Sequence, residues 1–427
     1  MFYTRKCGEI EDSDFGSEQT LCGWLQDTRN LGGIAFLQLR DITGVIQLTL
    51  LKKKLGDENF KSWANINRES IILVRGIVKE NKEAPGGVEM LPDNIELMNE
   101  AETPLPLGVI DKIDSEIETR LNARYLDLRK TEIAANFQIR AAISGAVHKH
   151  LRRENFLEVQ TPKIIASATE GGTSLFEMKY FDKTAYLAQS PQLYKQILMG
   201  GGLERVYEVG PAFRAEEHNT PRHLNEFISI DIEMSFADDD VVMGVMERLV
   251  DTAARAVSKE TEALEILGVE SIELELPLPR ITYDEAIEMA KGKAEWGEDL
   301  SMEATRAIAK QMNGFYFITK WPLSLKPFYI QPDEDAKYSK GFDFMYNEVE
   351  MTSGGQRVHN VDLLKKRLKE QGLEPDGFNH YLDPFRYGMP PHAGWGLGLD
   401  RLAMIFSGAK NVRECVLFPR DRNRLTP

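Results

Sequence analysis

The chain has 427 residues, of which 28% are charged, 42% hydrophobic and 9% aromatic, a composition typical of globular rather than disordered proteins. At about 100 to 200 residues per domain, this length predicts two or three domains. Lys and Arg number 52 and Asp and Glu 67, and the net charge of −15 argues against non-specific adhesion to nucleic acid or anionic lipid. A nucleic acid would have to be bound through a local basic face.

Features of secreted and membrane proteins are missing from the sequence. No apolar run approaches the ~20 residues of a membrane span, and the start, MFYTRKCGEI, does not have the layout of a signal peptide. The three cysteines, Cys7, Cys22 and Cys415, lie far apart and indicate neither a disulfide framework nor a zinc site. We therefore expect a cytoplasmic protein with no membrane segment.

The first hundred residues alternate short β-rich runs with turns. Five runs follow one another: TLCGWLQDT, IAFLQLRD, GVIQLTLL, SIILVRGIV and GVEMLPDNIELMN. A helix is predicted at 57–65. This pattern fits a small five-stranded barrel of the oligonucleotide-binding kind, although a small sandwich without a ligand would give the same strand pattern.

The proline-rich stretch TPLPL, residues 103–107, interrupts both helix and strand patterns, so we place the end of a first domain at residue 104. Residues 105–130 are predicted to form a connector, and 131–427 a second domain. An amphipathic helix begins at residue 131, another helix is predicted at 238–262, and strands and helices otherwise mix without a regular βαβ period. We predict an α+β domain on a mainly antiparallel sheet flanked by helices. The stretch from about 250 to 335 carries no motif that can be interpreted.

Residues 209–236 are dense in side chains that bind nucleotides. Six of them fall within one short segment: Arg214, Glu216, His218, Arg222, His223 and Glu226. Guanidinium groups bind phosphates, and a carboxylate accepts a hydrogen bond from the amino group of adenine. Arg214 and Glu216 would share one strand face because alternate residues point the same way. Taken alone, the Arg-x-Glu pattern also fits a surface salt-bridge network.

Three segments together resemble the class II aminoacyl-tRNA synthetases, and specifically the aspartyl-tRNA synthetases of the archaeal and eukaryotic kind. Residues 131–162 are similar to the first motif of the class, which forms its dimer interface. Phe213-Arg214-Ala215-Glu216 through Asp231 is similar to the second motif, and Gly396 through Arg401 to the third. The resemblance covers nearly the whole chain and implies a homodimeric, Mg²⁺-dependent ligase that makes aspartyl-adenylate from ATP and transfers aspartate to the 3′ end of tRNA.

The resemblance also implies roles for individual residues. Arg214, Glu216 and Arg401 are implied to be catalytic, contacting the α-phosphate, the adenine amino group and the outer phosphates. The implied ATP-binding residues are Arg214, Glu216, Arg222, His223, Leu224, Phe227, Glu350, Gly398 and Arg401. The implied Mg²⁺ ligands are Glu350, Ser353 and Asp343.

For the amino acid, the resemblance implies that Arg357 binds the side-chain carboxylate with Lys195 beside it, while Asp231 and Gln192 hold the α-amino group. The full implied aspartate-binding set is Glu170, Ser190, Gln192, Lys195, Asp231, Ser353 and Arg357. Residues 167–173 resemble a loop that closes on the substrate. Asparagine would be rejected electrostatically, because leaving a buried cation without its partner costs roughly 3–5 kcal/mol.

In the barrel, the resemblance implies that Arg29, Phe36, Gln47 and Glu89 contact the anticodon. In having Pro85 the chain resembles archaeal members of the family that also charge asparagine tRNA, whereas Gln26 departs from the histidine that often accompanies this proline in them. We therefore expect charging of tRNA(Asp) and also of tRNA(Asn). The alternatives are a strictly discriminating aspartyl enzyme, an asparaginyl-tRNA synthetase, an asparagine-making ligase and a catalytically inactive RNA-binding paralogue.

Overall fold

The computed structural model describes residues 2–110, 115–166, 175–217 and 220–427. The chain forms two compact units, Met1–Ser115 and Glu116–Pro427. This division falls inside the segment predicted as a connector. The predicted loop at 167–173, with Glu170, and the predicted His218 lie outside the described residues.

The first unit is a closed barrel of five strands in the order β1-β2-β3-β5-β4, which confirms the predicted barrel. Its strands are β1 Glu18–Asn30, β2 Ile34–Arg40, β3 Val45–Leu51, β4 Ile71–Glu80 and β5 Val88–Asn99. Two helices, α1 Lys52–Leu55 and α2 Asp57–Ala64, connect β3 to β4, and α2 confirms the helix predicted at 57–65.

Period-two alternation decides which side chains of the barrel face outward. Leu37 and Leu39 of β2 are fully buried in the barrel core, whereas Phe36 and Gln38, which alternate with them, are only half-buried. Because successive strand residues point to opposite faces, Phe36 and Gln38 lie together on the outer surface.

The second unit is built on an eight-stranded sheet in the order β12-β13-β14-β15-β16-β11-β10-β6, beside a small sheet in the order β7-β9-β8. Its strands are β6 Leu157–Glu158, β7 Ile164–Ile165, β8 Glu177–Tyr180, β9 Lys183–Leu187, β10 Arg205–Phe213, β11 Glu226–Ser235, β12 Arg280–Thr282, β13 Phe315–Thr319, β14 Gly341–Tyr346, β15 Val349–Gln356 and β16 His392–Gly398. Only the outermost pairs of the large sheet, β12–β13 and β10–β6, are parallel. The predicted α+β class with a mainly antiparallel sheet is therefore confirmed.

Helices flank this sheet, and the longest two pack together on one of its faces. The helices are α3 Ile117–Asn122, α4 Arg124–Asp127, α5 Thr131–Arg153, α6 Gln192–Gly200, α7 Asp239–Val257, α8 Thr261–Leu267, α9 Tyr283–Met289, α10 Met302–Met312, α11 Val361–Glu370, α12 Asn379–Arg386 and α13 Leu399–Ser407. In α5, Ile139, Ile143 and Val147 recur every four residues and are buried in the main core together with residues of α7.

The helix predicted at 238–262 is two helices in the structure. Asp238 caps α7 by accepting a hydrogen bond from the Val241 amide, and α7 ends at Val257. A short turn then leads into α8. The prediction was wrong in joining them, because the apolar pattern continues across the turn.

The segment that had no interpretable motif extends the sheet and carries its own small core. It contributes β12 and β13, and Tyr283, Tyr316, Ile318 and Trp321 are buried together there. Helix α9 begins with a capping box between Thr282 and Glu285. Among the described residues, no helix is both long and apolar enough to cross a bilayer, and the three cysteines are free.

Candidate functional site

Two carboxylates lie over the middle of the large sheet because glycines face them. Asp231 of β11 pairs with Gly396 of β16, and Glu233 pairs with Gly394 two residues further along. A Cβ at either glycine would overlap the carboxylate opposite it. The alternating glycines of β16 therefore leave room for both acidic side chains.

Two cations hold these carboxylates in place. The Lys195 ammonium lies 3.0 Å from Asp231 Oδ1 and 3.6 Å from Glu233 Oε2, and it also donates to the Trp395 carbonyl oxygen. Arg357 Nε donates to Glu233 Oε1 at 2.9 Å, and its Nη2 donates to Glu233 Oε2 at 3.3 Å. Each of the four charged side chains is at most 4% exposed.

This ion network is balanced, with two positive and two negative groups. Burial alone would raise the pKa of Glu233, but Arg357 and Lys195 outweigh burial, and the pKa lies below its ordinary value. Glu233 is therefore ionised at neutral pH, and the four side chains form a rigid neutral cluster. Glu233 was not predicted from the sequence, although its spacing of two from Asp231 on a strand was a usable signal.

A cavity of about 580 Å³ opens beside the cluster and is called the amino-side cavity below. Five of the residues implied to bind the amino acid line it, namely Ser190, Gln192, Asp231, Ser353 and Arg357. Lys195 is not among the lining residues, and its buried ammonium contacts Asp231 and the Trp395 carbonyl oxygen instead. Gln192 accepts a hydrogen bond from Arg357 through Oε1, while its buried Nε2 has no partner among the described residues. A ligand oxygen in this cavity would satisfy that donor.

A second cavity, of about 760 Å³, is called the phosphate-side cavity. All nine residues implied to bind ATP line it: Arg214, Glu216, Arg222, His223, Leu224, Phe227, Glu350, Gly398 and Arg401. Arg214, Phe227, Ser229, Ser353 and Gly396 line both cavities, so the two cavities are adjacent. The guanidinium that faces the Phe227 ring is that of Arg214, with Cζ 5.3 Å from the ring centroid.

Cationic side chains gather at one end of the phosphate-side cavity. Arg401 Nη1 donates to the Glu350 carbonyl oxygen at 2.6 Å, and Arg222 lies 3.5 Å from Glu348. Partial burial and the charge of Arg401 lower the pKa of His223 below its ordinary value, so the imidazole is neutral at neutral pH. This end of the cavity suits a ligand with several negative charges.

A β-bulge brings the two residues best suited to Mg²⁺ to one face. Glu350 pairs with Met345, but Thr352 pairs with Phe344, so Met351 is an extra residue in β15. In a regular strand, residues three apart such as Glu350 and Ser353 point to opposite faces, whereas with this bulge both line the phosphate-side cavity. One carboxylate and one hydroxyl suit Mg²⁺ that is also held by substrate phosphates. No group of three or more His, Cys, Asp or Glu side chains that could hold a metal occurs in the described part of the chain.

Asp343, the third implied metal ligand, already forms an ion pair with Lys326. It lies opposite Ser353 on the neighbouring strand, but its Oδ1 accepts a hydrogen bond from Lys326 Nζ at 2.7 Å. Burial raises the pKa of Asp343, although Lys326 opposes that shift. Lys326 itself lines the amino-side cavity, and this pair was not predicted from the sequence.

In the barrel unit, the residues implied to contact the anticodon form two neighbouring pairs on the outer face. Arg29 lies opposite Phe36 on β1 and β2. Gln47 Nε2 donates to Glu89 Oε2 at 3.3 Å, and Glu89 also lies 2.9 Å from Lys79. Pro85 begins the turn between β4 and β5, and Gln26 is the extra residue of a bulge in β1.

Family models match both units. Residues 116–422 match the tRNA synthetases of class II (D, K and N), and residues 19–98 match an OB-fold nucleic acid binding domain. The chain is 53% identical to the aspartate–tRNA(Asp/Asn) ligase of Archaeoglobus fulgidus over 96% of its own length and 97% of the relative's. It is 51% identical to the enzyme of that name from Methanothermobacter thermautotrophicus, over 98% and 97%.

Solved structures agree in fold over nearly the entire chain. The asparaginyl-tRNA synthetase of Pyrococcus horikoshii with asparaginyl-adenylate superposes with a TM-score of 0.94 at 33% identity, covering 100% of both chains. The aspartyl-tRNA synthetase of Entamoeba histolytica gives 0.86 at 32% identity, covering 97% of this chain and 91% of that one. Both structures are thus similar over the barrel and the large sheet.

Proposed function

Since this chain belongs to the class II tRNA synthetases (D, K and N), we propose that it activates L-aspartate with ATP and transfers it to tRNA(Asp) and tRNA(Asn). The observation that carries the proposal is the buried cluster of Lys195, Asp231, Glu233 and Arg357 beside the amino-side cavity, which shares five lining residues with the phosphate-side cavity. The archaeal relatives at 51–53% identity carry the name aspartate–tRNA(Asp/Asn) ligase, which supports both tRNA substrates.

Charge balance in the cluster favours aspartate over asparagine. The four side chains are neutral together. Once the α-carboxylate of the ligand has been consumed in the adenylate, the ligand ammonium that binds Asp231 leaves the cluster with one excess positive charge. A ligand side-chain carboxylate on Arg357 restores neutrality, whereas the amide of asparagine does not. Burial makes this difference large, because an uncompensated charge in a dry site costs several kcal/mol.

Adenylate formation is an in-line displacement at the α-phosphorus of ATP. A carboxylate oxygen of aspartate attacks, the bond from phosphorus to the bridging oxygen breaks, and pyrophosphate leaves. Arg214 would hold the α-phosphate, and Arg222, His223 and Arg401 the outer phosphates, while Glu216 accepts a hydrogen bond from the adenine amino group. Positioning and charge stabilisation suffice, and no general base is needed because the nucleophile is already ionised.

Glu350 and Ser353 would hold Mg²⁺, which when bound neutralises phosphate charge. In the second step, the terminal ribose hydroxyl of tRNA attacks the carbonyl carbon of the adenylate. AMP leaves with the electron pair of the broken carbon–oxygen bond, and the hydroxyl proton passes to a phosphate oxygen of the departing AMP. We propose that the barrel holds the anticodon through Arg29, Phe36, Gln47 and Glu89, with Pro85 and Gln26 affecting which third base is accepted.

We also propose a cytoplasmic homodimer. Leu157 of β6 belongs to the segment that resembles the first motif, and Ile164 of β7 follows just after that segment. They are 52% and 46% exposed in the single chain. Exposed apolar side chains that lie together mark interaction surfaces, and a second copy of the chain would cover these two.

The deciding experiment measures charging of unmodified tRNA(Asp) and tRNA(Asn) transcripts with aspartate and, separately, with asparagine. We expect aspartate on both transcripts and asparagine on neither. Aspartate on tRNA(Asp) alone would show a strictly discriminating enzyme. Asparagine on tRNA(Asn) would show that the protein is an asparaginyl-tRNA synthetase, like the Pyrococcus horikoshii enzyme that it resembles in fold. Charging of neither transcript would overturn the proposal.

A further inference from the structure

Three unfavourable features meet at one point on the outer face of the barrel. Arg40 and Glu69 form an ion pair at 2.9 Å, although they are only 6% and 5% exposed. Glu69 has a φ of 66°, a left-handed conformation that is strained for a residue with a side chain. The strand beside Arg40 carries a bulge at Gln26. Such features persist where they serve a site, and here they meet at the same side chains.

The ion pair starts a chain of hydrogen bonds with a fixed direction. Arg40 Nη2 donates to both carboxylate oxygens of Glu69, and its Nη1 donates to Gln26 Oε1 at 3.2 Å. Gln26 Nε2 then donates to Gln38 Oε1 at 3.3 Å. A flipped Gln26 amide would turn its NH₂ group toward the guanidinium, so Arg40 sets its direction and, through it, that of Gln38.

Gln38 is the outer end of this series of hydrogen bonds. Its Nε2 has no hydrogen-bond partner in the described part of the chain, and the residue is half-buried on the outer face. Phe36 lies two residues away on the same face, a strand distance of about 7 Å. Gln38 also pairs across the strands with Gln47, which contacts Glu89. Gln38 therefore lies between Gln26 and the residues proposed to contact the anticodon.

We propose that Gln38 contacts the third anticodon base and that Arg40, anchored by Glu69, positions it so that it presents a hydrogen-bond donor to either pyrimidine. The proposal rests on the proposed function, and it assigns Gln38 as a binding residue and Arg40 as a positioning residue.

The genetic code makes the third anticodon base C in tRNA(Asp) and U in tRNA(Asn). At their pairing edges the two bases differ, because C has an amino donor at N4 and an acceptor at N3, whereas U has an acceptor at O4 and a donor at N3. Both carry the same acceptor at O2. The Gln38 NH₂ group would bind C and U equally well if it donates to O2, which both bases carry. Because Arg40 fixes the direction of the amides, Gln38 presents a donor to the base and no acceptor.

The test uses Gln38→Met, which keeps the length of the side chain and removes the donor, and Arg40→Lys, which keeps the charge beside Glu69 but loses the fork that also reaches Gln26. Asn94→Leu, at an exposed amide of β5, is the matched control. The readout is kcat/KM for aspartylation of both transcripts, divided by the aspartate-dependent pyrophosphate exchange rate of the same preparation, so that a loss of active protein cancels.

We expect Gln38→Met to lower the normalised kcat/KM about 5- to 10-fold for both transcripts, the cost of one neutral hydrogen bond. Arg40→Lys should lower both similarly in the parent protein and have no further effect in Gln38→Met, while Asn94→Leu should behave as the parent. The inference is overturned if Gln38→Met charges both transcripts normally, if it affects only one of them, or if the two substitutions add independently. A parent protein that charges neither transcript would instead overturn the proposed function.

Discussion

Glu233 orients Arg357 beside the amino-side cavity, although no role was predicted for Glu233 from the sequence. It receives two hydrogen bonds from Arg357 and lies 3.6 Å from Lys195. With one guanidinium edge fixed by Glu233, Arg357 cannot turn away from the cavity it lines. The arginine is thereby pre-organised, and a ligand carboxylate need not order it on binding.

Replacing Arg357 tests the proposed role directly. Arg357→Ala should lower aspartate-dependent pyrophosphate exchange by more than about 100-fold. It removes the group that binds the side-chain carboxylate of aspartate, and it leaves Glu233 buried with Lys195 as its remaining cation. Exchange is measured with saturating ATP and increasing aspartate. Unchanged exchange would contradict the assignment.

The control for Arg357→Ala is tRNA binding, measured by filter retention. The affinity should stay near that of the parent protein, since the barrel does not depend on this side chain. Arg357→Lys is a milder companion variant that keeps a charge beside Glu233. It should fold normally and still lose exchange, because a lysine cannot bind Glu233 and a ligand carboxylate with one planar fork.

His392 makes stability depend on pH. Burial lowers its pKa to about 4, against the opposing charge of Glu233, and its ring nitrogens lie near Pro390 O and Gln196 Oε1. The unfolded chain therefore binds a proton below about pH 6.5 that the folded chain does not take up until about pH 4. Stability must then fall as the pH drops through this window.

We expect His392 to account for about 2 kcal/mol of the stability lost between pH 7 and pH 5. Urea unfolding followed by tryptophan fluorescence at the two pH values measures this loss. His392→Asn keeps a donor for the Pro390 carbonyl oxygen. Between pH 7 and pH 5 its unfolding free energy should fall by about 2 kcal/mol less than that of the parent protein. As a control, replacing the exposed His380 by Gln should leave the loss of stability between the two pH values the same as in the parent. If His392→Asn also loses as much stability as the parent, the role of His392 is contradicted.

At the level of elements, the parts that follow from periodicity were predictable from the sequence. Helix α5 begins at the predicted residue 131, and the five barrel strands alternate as expected. The bulge in β15 was not predictable, because one extra residue leaves no mark on the apolar pattern. The glycines of β16 were visible, but their purpose depends on Asp231 and Glu233, which lie far away in the sequence and adjacent in the sheet.

Helix α4 is fixed to the C-terminal segment by one buried arginine. Arg124 donates to the carbonyl oxygens of Glu414, Val416 and Leu417 at 3.0–3.2 Å and to Asp127 at 2.6 Å. Arg124→Lys keeps the charge beside Asp127 but cannot satisfy several carbonyl groups in a plane. We expect a loss of about 2–4 kcal/mol in the free energy of urea unfolding.

The matched control for this substitution is Arg306→Lys, at an exposed position of α10. It should change the unfolding free energy by less than about 0.5 kcal/mol. Equal effects of the two substitutions would show that the carbonyl contacts of Arg124 contribute little.

For the whole molecule, the hydrophobic cores divide as the two units do. All buried residues of the barrel core lie between Cys7 and Ile95, and those of the other three clusters lie from Ala135 onward. Each unit therefore buries its own apolar surface, which is the condition for independent folding. The chemistry proposed for aspartate and ATP is confined to the second unit.

A protein of residues 116–427 should therefore fold and keep aspartate-dependent pyrophosphate exchange within a few-fold of the full chain. Its kcat/KM for charging tRNA should fall about 100-fold or more, because the contacts proposed for Arg29, Phe36, Gln47 and Glu89 are lost together. Full exchange with full charging would show that the barrel does not hold the anticodon. Loss of exchange together with a lost cooperative unfolding transition would show that the second unit needs the first to fold.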